Sequence, residues 1–475
     1  MTNPNILVIC PDELRATGLG CYGSPFGNSP VIDGWAAQAV RVTQCHTVHP
    51  KCVPSRACFI TGQYPHVAGH RTLELHTRPH EINLVRSLRA AGWETALINK
   101  NHVADAATMP LTFDHHLRFP GGRVLDPPAP TGFPAGSYQV GLDPQPAERH
   151  CDVAATTGAI AWMSERTGRQ QPFFLWLNLE LPHPPYGVPA PWYGRIDRER
   201  VALPARPDPS GQPNFDRELR RAYGLDAMRE DQWRELVATY HEMVWLVDDQ
   251  VGRLLAFLDS SGLRRDTIIL FWSDHGDFAG ERQLTEKWDT ALTDCITRIP
   301  LVIDAPGRLR PQVCNQLVES IDLMPTILDL CGVAAPHGFQ GRSLLPCLRD
   351  ETTVHREDVL CQGGQERELV ARTLPVDAKV RPAQVYYRKQ AALVADPTIN
   401  LRTKSLRDHD WRYVYRLGGT GVTEELYDLH ADPGELHNLA GDPARRAQVE
   451  IWRRRLLDRL IEAETVEPWQ AGLEA

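Results

Sequence analysis

The stretch NILVICPDE, residues 5–13, runs from an apolar segment straight into two adjacent acids. A continuous apolar run such as residues 5–10 is typical of a β-strand that is buried on both of its faces. Further runs of this kind also end in polar residues, and they lie at 95–98, 173–179, 267–272 and 301–303. We therefore expect a sheet whose strand ends carry the polar chemistry of the protein.

Helical periodicity separates these strands. Apolar residues recur at helical spacing in the segments 84–91, 152–167 and 231–260, and this spacing predicts a helix in each. Strands that alternate with helices predict an α/β protein in which helices cover both faces of the sheet. Ligands of such proteins bind at the carboxyl ends of the strands, which is where this sequence places its acids, histidines and lysines.

The length of 475 residues predicts one large domain and a smaller one. The character of the sequence changes after Pro346. We therefore predict a large α/β domain over residues 1–350 and a smaller C-terminal α+β domain over residues 351–475. The smaller domain contains a predicted strand at 411–415 and a predicted last helix at 443–463.

Two stretches rich in proline and glycine, 120–146 and 204–213, predict long loops over the edge of the sheet. Long loops in a compact domain often bind substrates or act as lids. We therefore expect these loops to select the part of a substrate that lies outside the reacting group.

Charge and composition exclude some classes of partner. The net charge of −9, without any block of like charge, makes nucleic acids and anionic membranes poor partners. No apolar run reaches the roughly 18 residues of a membrane span. The chain enters its first strand without a basic and apolar leader, so we expect no secretory signal. Eleven scattered cysteines predict reduced thiols, and together these features favour a cytoplasmic protein.

Acidic residues after two of the predicted strands are candidates for a metal site. Asp12 and Glu13 follow the first strand, whereas Asp274 and His275 follow the strand at 267–272. Adjacent acids at a strand end are often only a solvated loop or a helix cap, and an isolated Asp-His pair is more often structural. Two such pairs at one edge of a sheet would join three carboxylates to an imidazole, and this set can hold a divalent cation.

The segment HPKCVPSRACFITG, residues 49–62, carries a candidate nucleophile. A lone cysteine is most often a buried thiol, but Cys52 is closely followed by a proline and by the start of a predicted helix. A helix N-terminus favours an anion, and the guanidinium of Arg56 matches the geometry of tetrahedral oxyanions. Because His49 and Lys51 add positive charge, the segment predicts a nucleophile beside an anion site.

Further cationic or titratable residues follow predicted strands or the second acidic pair. Each of them alone would most often be a surface charge. Their presence at the strand ends that carry the metal and nucleophile candidates instead predicts acid–base and anion-binding groups. They are Lys100, His102, His183 and Lys287.

These motifs together resemble the sulfatase family within the alkaline-phosphatase-like superfamily. The segment CVPSR, residues 52–56, matches the family signature Cys-x-Pro-Ser-Arg, and Thr61 with Gly62 matches the turn that follows it. The acids, lysines and histidines occur in the family's order, and a C-terminal signature lies within residues 402–439. The likeness thus spans nearly the whole chain. It implies an alkaline-phosphatase-like fold, in which helices sandwich a large mixed sheet.

The resemblance also implies a cofactor and partners. In this family a separate formylglycine-generating enzyme oxidises the signature cysteine to Cα-formylglycine, and the hydrated aldehyde attacks the sulfur of a sulfate ester. The family usually carries one calcium ion, and an imidazole ligand makes manganese or magnesium the alternatives. The implied partners are a small sulfate ester and the maturation enzyme, and the sequence leaves a homo-oligomer open.

Site roles follow from the same resemblance. Arg56 would hold the hydrated aldehyde and an oxyanion, and Lys100 would bind the anion. We predict His102 as the base for expulsion of sulfate, and His183 with Lys287 as the groups that protonate the leaving group. The metal ligands implied are Asp12, Glu13, Cys52, Asp274 and His275.

The sequence departs from the common family pattern at several positions. Glu13 and His275 stand where many members have Asp and Asn, and the Asp-His form also resembles the phosphonate monoester hydrolase branch. Gln63 replaces the usual arginine after Thr-Gly, and the segment after Lys287 is unusual. The leading prediction is a sulfatase. The alternatives are a phosphonate monoester or phosphodiester hydrolase with the same groups, and a non-catalytic metal- and anion-binding protein with an unmodified Cys52.

Overall fold

The structure is a computed structural model that describes residues 3–81, 83–119, 132–203, 205–208, 213–336, 338–350, 352–364, 387–418 and 421–464. Its strands are β1 (Asn5–Asp12), β2 (Val40–His46), β3 (Glu94–Ile98), β4 (His115–Leu117), β5 (Gln139–Asp143), β6 (Phe173–Pro182), β7 (Tyr186–Pro189), β8 (Thr267–Trp272), β9 (Arg298–Asp304), β10 (Gln312–Glu319), β11 (Val359–Gly363), β12 (Thr403–Arg407), β13 (Trp411–Gly418) and β14 (Gly421–Asp428). Its α-helices are α1 (Pro30–Ala36), α2 (Cys52–Thr61), α3 (Pro65–Ala68), α4 (Leu84–Ala90), α5 (Met109–Thr112), α6 (Cys151–Ser164), α7 (Asn214–Tyr223), α8 (Glu230–Ser261), α9 (Asp294–Thr297), α10 (Leu323–Cys331), α11 (Leu345–Arg349), α12 (Tyr387–Ala395) and α13 (Arg446–Glu464).

A large sheet with the strand order β10-β2-β9-β8-β1-β6-β3-β4 forms the centre of the fold. Its neighbouring strands are parallel except at β9, which is antiparallel to β2 and to β8. The predicted mixed sheet is therefore confirmed. The carboxyl ends of β1, β2, β3, β6 and β8 share one edge, and ligands of α/β proteins gather at such an edge.

Strand β1 is buried on both faces, as its apolar run predicts. Leu7 and Ile9 belong to a hydrophobic cluster that includes residues of α6 and α8, whereas Ile6 and Val8 belong to a cluster that includes residues of α2 and α10. Each of these four side chains is 0% exposed. Burial of one such side chain contributes about 1.5–3 kcal/mol, so helices on both faces hold this strand in the middle of the sheet.

The predicted helices are confirmed as α4, α6 and α8, and the predicted strands at 5–10, 95–98, 173–179 and 267–272 lie within β1, β3, β6 and β8. Helix α8 is the longest of the described helices, at 32 residues, and it ends at Gly262 with a left-handed φ of 77°, a conformation that favours glycine. Its length does not make it a membrane helix: among the described ranges, no helix is both long and apolar enough to cross a bilayer.

The expectation that every predicted strand ends at the polar edge is wrong for residues 301–303. This run lies in β9, which is antiparallel to its neighbours. Asp304 therefore lies at the opposite edge, where it accepts a hydrogen bond from Trp35 Nε1 at 2.9 Å and pairs with Arg264 at 2.6 Å. A short apolar run carries no signal for strand direction, because an inner strand of either direction is buried on both faces.

Sequence reasoning missed strands β2 and β10. Their sequences, VRVTQCH and QVCNQLVE, interrupt the apolar pattern with polar residues. Strand β10 lies at the end of the strand order and pairs on one side with β2. Such strands tolerate polar side chains, because one of their sides is not covered by another strand.

The antiparallel strands β11, β12, β13 and β14 form a smaller sheet. With α13 it forms the predicted α+β part, and β13 and α13 confirm the predicted strand and last helix. This part packs against the region around α2, because Tyr64 and Cys58 share a hydrophobic cluster with Leu406, Tyr413 and Trp452. The division of the chain at residues 350 and 351 stays a prediction.

The predicted long loops fall partly outside the described residues, at 120–131, 204 and 209–212. The described end of the first loop contains β5, which pairs in parallel with β7. The loop prediction is therefore wrong for Gln139–Asp143. Its sequence, QVGLD, is too short and too polar to stand out as a strand beside the neighbouring prolines and glycines.

The C-terminal end of α2 is fixed by a glycine. Gly62 has a φ of 67°, and its carbonyl accepts hydrogen bonds from the backbone N–H groups of Gln340 at 2.9 Å and Gly341 at 3.0 Å. A Cβ atom at Gly62 would lie 2.6 Å from Met324 Cε. This close approach packs α2, and with it the segment that begins at Cys52, against α10.

We expect Gly62→Ala to lower the free energy of unfolding more than Gly332→Ala. The two glycines end helices with φ values of 67° and 66°, so both substitutions incur a left-handed strain of about 1–2 kcal/mol. Only the new Cβ at position 62 meets a neighbour, whereas one at Gly332 meets nothing within 4 Å. Urea unfolding followed by circular dichroism measures both losses, and equal losses would contradict the packing argument.

Candidate active site

The carboxyl ends of parallel strands bring the predicted site residues together. Asp12 ends β1, Lys100 follows β3, His183 follows β6 and Asp274 follows β8. Helix α2 begins beside them at Cys52. The first N–H groups of a helix have no partner within the helix, and its N-terminus carries a partial positive charge. The arrangement thus places acids, cations and a helix start at one edge of the sheet.

Asp12, Cys52, Asp274 and His275 each offer one ligand atom, and these atoms all lie within 4.8 Å of one another. Cys52 Sγ is 3.4 Å from Asp12 Oδ1 and 3.2 Å from His275 Nε2. All of these side chains are buried. The Nδ1 atom of His275 lies 3.0 Å from the carbonyl oxygen of Gly276. Because a carbonyl only accepts, Nδ1 carries the proton and the lone pair of Nε2 is directed at the cluster.

The guanidinium of Arg56 binds both acids of this cluster. Its Nε donates to Asp274 Oδ2 at 2.8 Å, and its Nη2 donates to Asp12 Oδ2 at 3.1 Å. The side chain is 0% exposed, and its Nη1 has no hydrogen-bond partner among the described residues. A buried donor without a partner is costly, so Nη1 is suited to an oxygen atom of a ligand.

Lys100 supplies a second cation to the same acid. Its Nζ lies 2.8 Å from Asp12 Oδ2 and 3.3 Å from Glu180 Oε2. Burial alone would raise the pKa of Asp12, but Lys100 and Arg56 outweigh burial and hold this pKa well below its usual value. Asp12 is therefore ionised at every ordinary pH, as a metal ligand must be.

The thiol of Cys52 is not activated by its surroundings. Burial raises the pKa of the Cys52 thiol well above its usual value, and the charge of Asp12 raises it further. A cysteine acts as a nucleophile through its thiolate. The protein groups around an unmodified Cys52 therefore favour its thiol, which is a poor nucleophile, even though it lies within the candidate metal cluster.

The backbone turns sharply after β1 and keeps the two adjacent acids close together. Glu13 has a φ of 71°, which is a strained conformation for a residue other than glycine. Its backbone N–H donates to Asp274 Oδ1 at 3.1 Å. Ligand atoms of Asp12, Glu13 and His183 lie within 4.8 Å of one another, and Glu13 Oε2 is 2.6 Å from Lys287 Nζ and 3.5 Å from His183 Nε2. The role of Glu13 as a metal ligand stays a prediction.

The two catalytic histidine candidates occupy different surroundings. Burial, together with the positive charges of Lys100 and Arg56, lowers the pKa of His102 to about 2. The imidazole of His102 is therefore neutral and, beside these two cations, only weakly basic, and its Nδ1 has no hydrogen-bond partner among the described residues. The Nδ1 of His183 lies 2.6 Å from the carbonyl of Pro184, which leaves its Nε2 on the side of Glu13.

Sequence reasoning assigned no role to several buried groups beside this site. The hydroxyl of Tyr186 donates to Asp277 Oδ1 at 2.7 Å and accepts from the backbone N–H of Glu286, also at 2.7 Å. Burial raises the pKa of Asp277 to about 6. Asp277 could have been noticed because it ends the run SDHGD, and Glu286 because it precedes Lys287. Nothing in the sequence marked Tyr186.

The residues present fit a divalent cation. Two carboxylates, an imidazole with its Nε2 lone pair available and residue 52 converge within 4.8 Å. Oxygen ligands suit calcium, magnesium and manganese, and an imidazole is compatible with manganese in particular. Asp12, Asp274 and His275 are accordingly the residues that would hold a metal ion beside position 52.

Buried acids, a histidine, two cations and a cysteine at a helix start thus meet at one edge of a mixed α/β sheet, an arrangement suited to a metal ion and an anionic group. The family model described as Sulfatase matches residues 4–333. This match covers more than half of the chain, so the chain belongs to the sulfatase family, whose fold is alkaline-phosphatase-like. The predicted family, the fold class and the assignment to sulfatase-type hydrolases are thereby confirmed.

Individual relatives are named for different activities. The chain is 28% identical to the multifunctional alkaline phosphatase superfamily protein PehA of Trinickia caryophylli, over 96% of this chain and 95% of that protein. It is also 28% identical to a delta 4,5-hexuronate-2-O-sulfatase of Bacteroides thetaiotaomicron, over 96% of this chain and 89% of that one. Its fold matches a solved phosphonate monoester hydrolase from Silicibacter pomeroyi with a TM-score of 0.76 at 26% identity, over 97% and 96% of the two chains.

We expect Asp274→Asn to weaken the binding of a divalent cation by at least about tenfold. Substitution of a residue that only supports a metal ligand typically lowers the metal affinity by about 10–100-fold, and Asp274 is itself a candidate ligand. Isothermal titration of the apo protein with Ca²⁺, Mn²⁺ and Mg²⁺ measures the affinity. Asp304→Asn is the matched control, since Asp304 lies at the opposite edge of the sheet. Equal affinities of the wild type and Asp274→Asn would reject the metal site.

Proposed function

We propose that the protein hydrolyses a sulfate monoester with a formylglycine formed from Cys52. The position of Cys52 carries the proposal: its Sγ lies 3.2 Å from His275 Nε2 and 3.4 Å from Asp12 Oδ1. The oxygen atoms of a hydrated aldehyde at this position would lie among the metal-ligand candidates and beside Arg56. The 28% identity to a 2-O-sulfatase supports a sulfate ester as the substrate.

The surroundings of the thiol support its conversion. Burial and Asp12 raise the pKa of Cys52, so the protein groups around the thiol do not by themselves make it a nucleophile. An aldehyde hydrate brings two hydroxyl groups to the same position. The proposal therefore includes a separate formylglycine-generating enzyme as a maturation partner of this chain.

The first half of the proposed reaction transfers the sulfuryl group. One hydroxyl of the hydrate loses its proton to solvent as its oxygen attacks sulfur, and the bond from sulfur to the leaving-group oxygen breaks. Arg56 Nη1 and Lys100 Nζ hold the non-bridging oxygens. His183, with Lys287 beside Glu13, provides the proton that the departing oxygen takes up, so that the alcohol leaves as a neutral molecule.

The second half releases sulfate. The negative charge of the bound sulfate group offsets the charges of Lys100 and Arg56, which together with burial lower the pKa of His102, and the neutral imidazole then accepts the proton of the second hydroxyl. The bond from carbon to the sulfated oxygen then breaks, the aldehyde forms again and sulfate leaves. Water adds to the aldehyde and restores the hydrate, so the net reaction consumes one water.

The metal ion belongs to the proposal as one divalent cation, most simply calcium, with manganese or magnesium as the alternatives. When bound by Asp12, Asp274 and His275, such an ion supplies positive charge that acidifies a neighbouring hydroxyl and offsets developing negative charge. Lys100 and Arg56 neutralise Asp12 from the other side, and this pairing keeps Asp12 ionised at low pH.

A phosphonate monoester or phosphodiester hydrolase is the second candidate. The similarity to a phosphonate monoester hydrolase, at a TM-score of 0.76 and 26% identity, favours it. A purely binding role is the third candidate, and the presence of His102 among the charges of Lys100 and Arg56 and of His183 beside Glu13 speaks against it. Steady-state kinetics on matched aryl sulfates and aryl phosphonates separates the first two candidates. A sulfatase should have the higher kcat/KM on the sulfates, and a phosphonate monoester hydrolase on the phosphonates.

We expect Cys52→Ala to abolish turnover while it leaves the fold intact, because the substitution is small and lies at the start of α2. Intact-mass spectrometry of the wild type should show that position 52 has lost sulfur and two hydrogens and gained an oxygen, with a second species one water heavier. Circular dichroism checks the fold of the variant. Wild-type activity in Cys52→Ala, or an unmodified and fully active Cys52, would refute the formylglycine.

We expect alanine substitution of the two histidines to impair different steps, since they act in different halves of the reaction. His183→Ala should slow esters of poor leaving groups by about 10²–10⁴, and nitrophenyl esters far less, because nitrophenolate leaves without a proton. His102→Ala should stop after the first half and leave residue 52 sulfated. A series of aryl sulfates measures the first effect, and a kinetic burst with mass spectrometry measures the second.

The control for the histidine variants is His115→Ala, since His115 is half-exposed and pairs with Glu94 in a region away from the site. It should keep wild-type rates throughout the series. A loss in His183→Ala that is equal for good and poor leaving groups, or the absence of a sulfated His102→Ala enzyme, would show that these roles are assigned wrongly.

A further inference from the structure

A row of alternating charges connects Glu13 to the residue that precedes Cys52. Each neighbouring pair consists of one carboxylate and one ammonium, and the side chains are at most 12% exposed. The contacts are Glu13 Oε2 to Lys287 Nζ at 2.6 Å, Lys287 Nζ to Glu286 Oε1 at 3.2 Å, Glu286 Oε2 to Lys389 Nζ at 3.1 Å, Lys389 Nζ to Asp289 Oδ1 at 3.6 Å, and Asp289 Oδ2 to Lys51 Nζ at 2.5 Å.

Lys389 occupies the middle of this row and comes from a distant part of the chain. It lies on α12, 102 residues after Lys287. Besides Glu286 and Asp289, its Nζ has the backbone carbonyl of Lys287 at 3.0 Å as an acceptor. The ammonium also lies 5.1 Å from the centre of the Trp288 ring, a favourable position for a cation.

The ammonium of Lys389 is turned toward these groups. It donates to Glu286 Oε2 at 3.1 Å and to the Lys287 carbonyl at 3.0 Å, and it forms an ion pair with Asp289 Oδ1 at 3.6 Å. The side chain is 9% exposed. We therefore expect Lys389 to act on the reaction through the residues that it binds.

The backbone at Glu286 needs such support. Glu286 has a φ of 59°, which is strained for a residue with a side chain. The hydroxyl of Tyr186 accepts from its backbone N–H at 2.7 Å. Lys389 Nζ contacts both the Glu286 carboxylate and the backbone carbonyl of Lys287. Tyr186 and Lys389 thus hold the peptide between Glu286 and Lys287 from two sides.

Removal of the Lys389 charge would leave the row with three carboxylates and only two ammonium groups. Glu286 and Asp289 would be buried carboxylates that share only the two lysines at their outer sides, and a buried carboxylate without a partner is strongly disfavoured. Glu286 would then draw Lys287 toward itself. The contact of Lys287 with Glu13, and with it the position of the ammonium beside His183, would be lost.

We propose that Lys389 is a positioning residue that holds Glu286 so that Lys287 stays at Glu13, on the leaving-group side of the site. The assignment of that side rests on the proposed function, whereas the contact itself does not. The role would make α12, which belongs to the C-terminal part of the chain, necessary for protonation of the leaving group.

The test compares Lys389→Met with Arg388→Met, the preceding residue on the same helix, whose side chain is exposed. On a series of aryl sulfates, Lys389→Met should lower kcat by up to about 10²-fold for poor leaving groups, much less for nitrophenyl sulfate, and leave KM nearly unchanged. In the double variant with Lys287→Ala, Lys389→Met should add no further loss. Arg388→Met should match the wild type in every measurement.

Crystal structures of the variants test the contact without reference to activity. The distance from Lys287 Nζ to Glu13 Oε2, 2.6 Å in the wild type, should exceed hydrogen-bond length in Lys389→Met and stay unchanged in Arg388→Met. If Lys389→Met does not fold, Lys389→Gln, which removes the charge and keeps a donor, should give the same pattern.

Three results would overturn the proposal: an intact contact in the variant, losses that are independent of the leaving group, or additive losses in the double variant. A rise in KM with unchanged kcat would also overturn it, because it would make Lys389 a substrate-binding group. If the matured wild type hydrolyses neither sulfate nor phosphonate esters, the proposed function fails. The crystallographic comparison then still decides whether Lys389 positions Lys287.

Discussion

The bridge that Arg56 forms between Asp274 and Asp12 is the interaction on which the rest of the site depends. All three side chains are 0% exposed, and buried carboxylates of like charge would protonate or separate without a cation between them. The bridge joins the ends of β1 and β8 to the first turn of α2. Ser55 adds to it, since its hydroxyl donates to the Asp274 carbonyl at 2.7 Å. Residue 52 is thereby held against the metal-ligand candidates.

The turn at Glu13 explains how one strand end serves two halves of a site. Asp12 points to the side of Arg56 and Lys100, whereas Glu13 points to Lys287 and His183. Adjacent residues of a regular strand would point to opposite faces of the sheet. The left-handed φ at Glu13 ends the strand and keeps both carboxylates at its edge. The strain is therefore a structural cost that lets two adjacent carboxylates contact different cations while ligand atoms of both lie within 4.8 Å of each other.

Much of this arrangement follows from the sequence because strand ends and helix starts are local features. Apolar runs mark the inner strands, and the polar residues that follow four of them meet at one edge. Cys52 and Arg56 are four residues apart, so they lie on the same face of α2. Direction, long-range pairing and strain are not local. The antiparallel course of β9, the φ of Glu13 and the arrival of Lys389 beside Glu286 depend on packing between distant segments, and no periodicity encodes them.

Discrimination between the two candidate substrates cannot rest on total charge. A sulfate monoester and a phosphonate monoester each carry one negative charge, so cations such as Lys100 attract both. They differ at one substituent of the central atom, which is an oxygen in the sulfate and a carbon in the phosphonate. A site whose buried donors bind an oxygen rejects an analogue that lacks it, because those donors would be left without partners. Arg56 Nη1 is a buried donor without a partner among the described residues, but a non-bridging oxygen of either ester satisfies it. Discrimination between the two esters therefore requires a donor directed at the one substituent in which they differ.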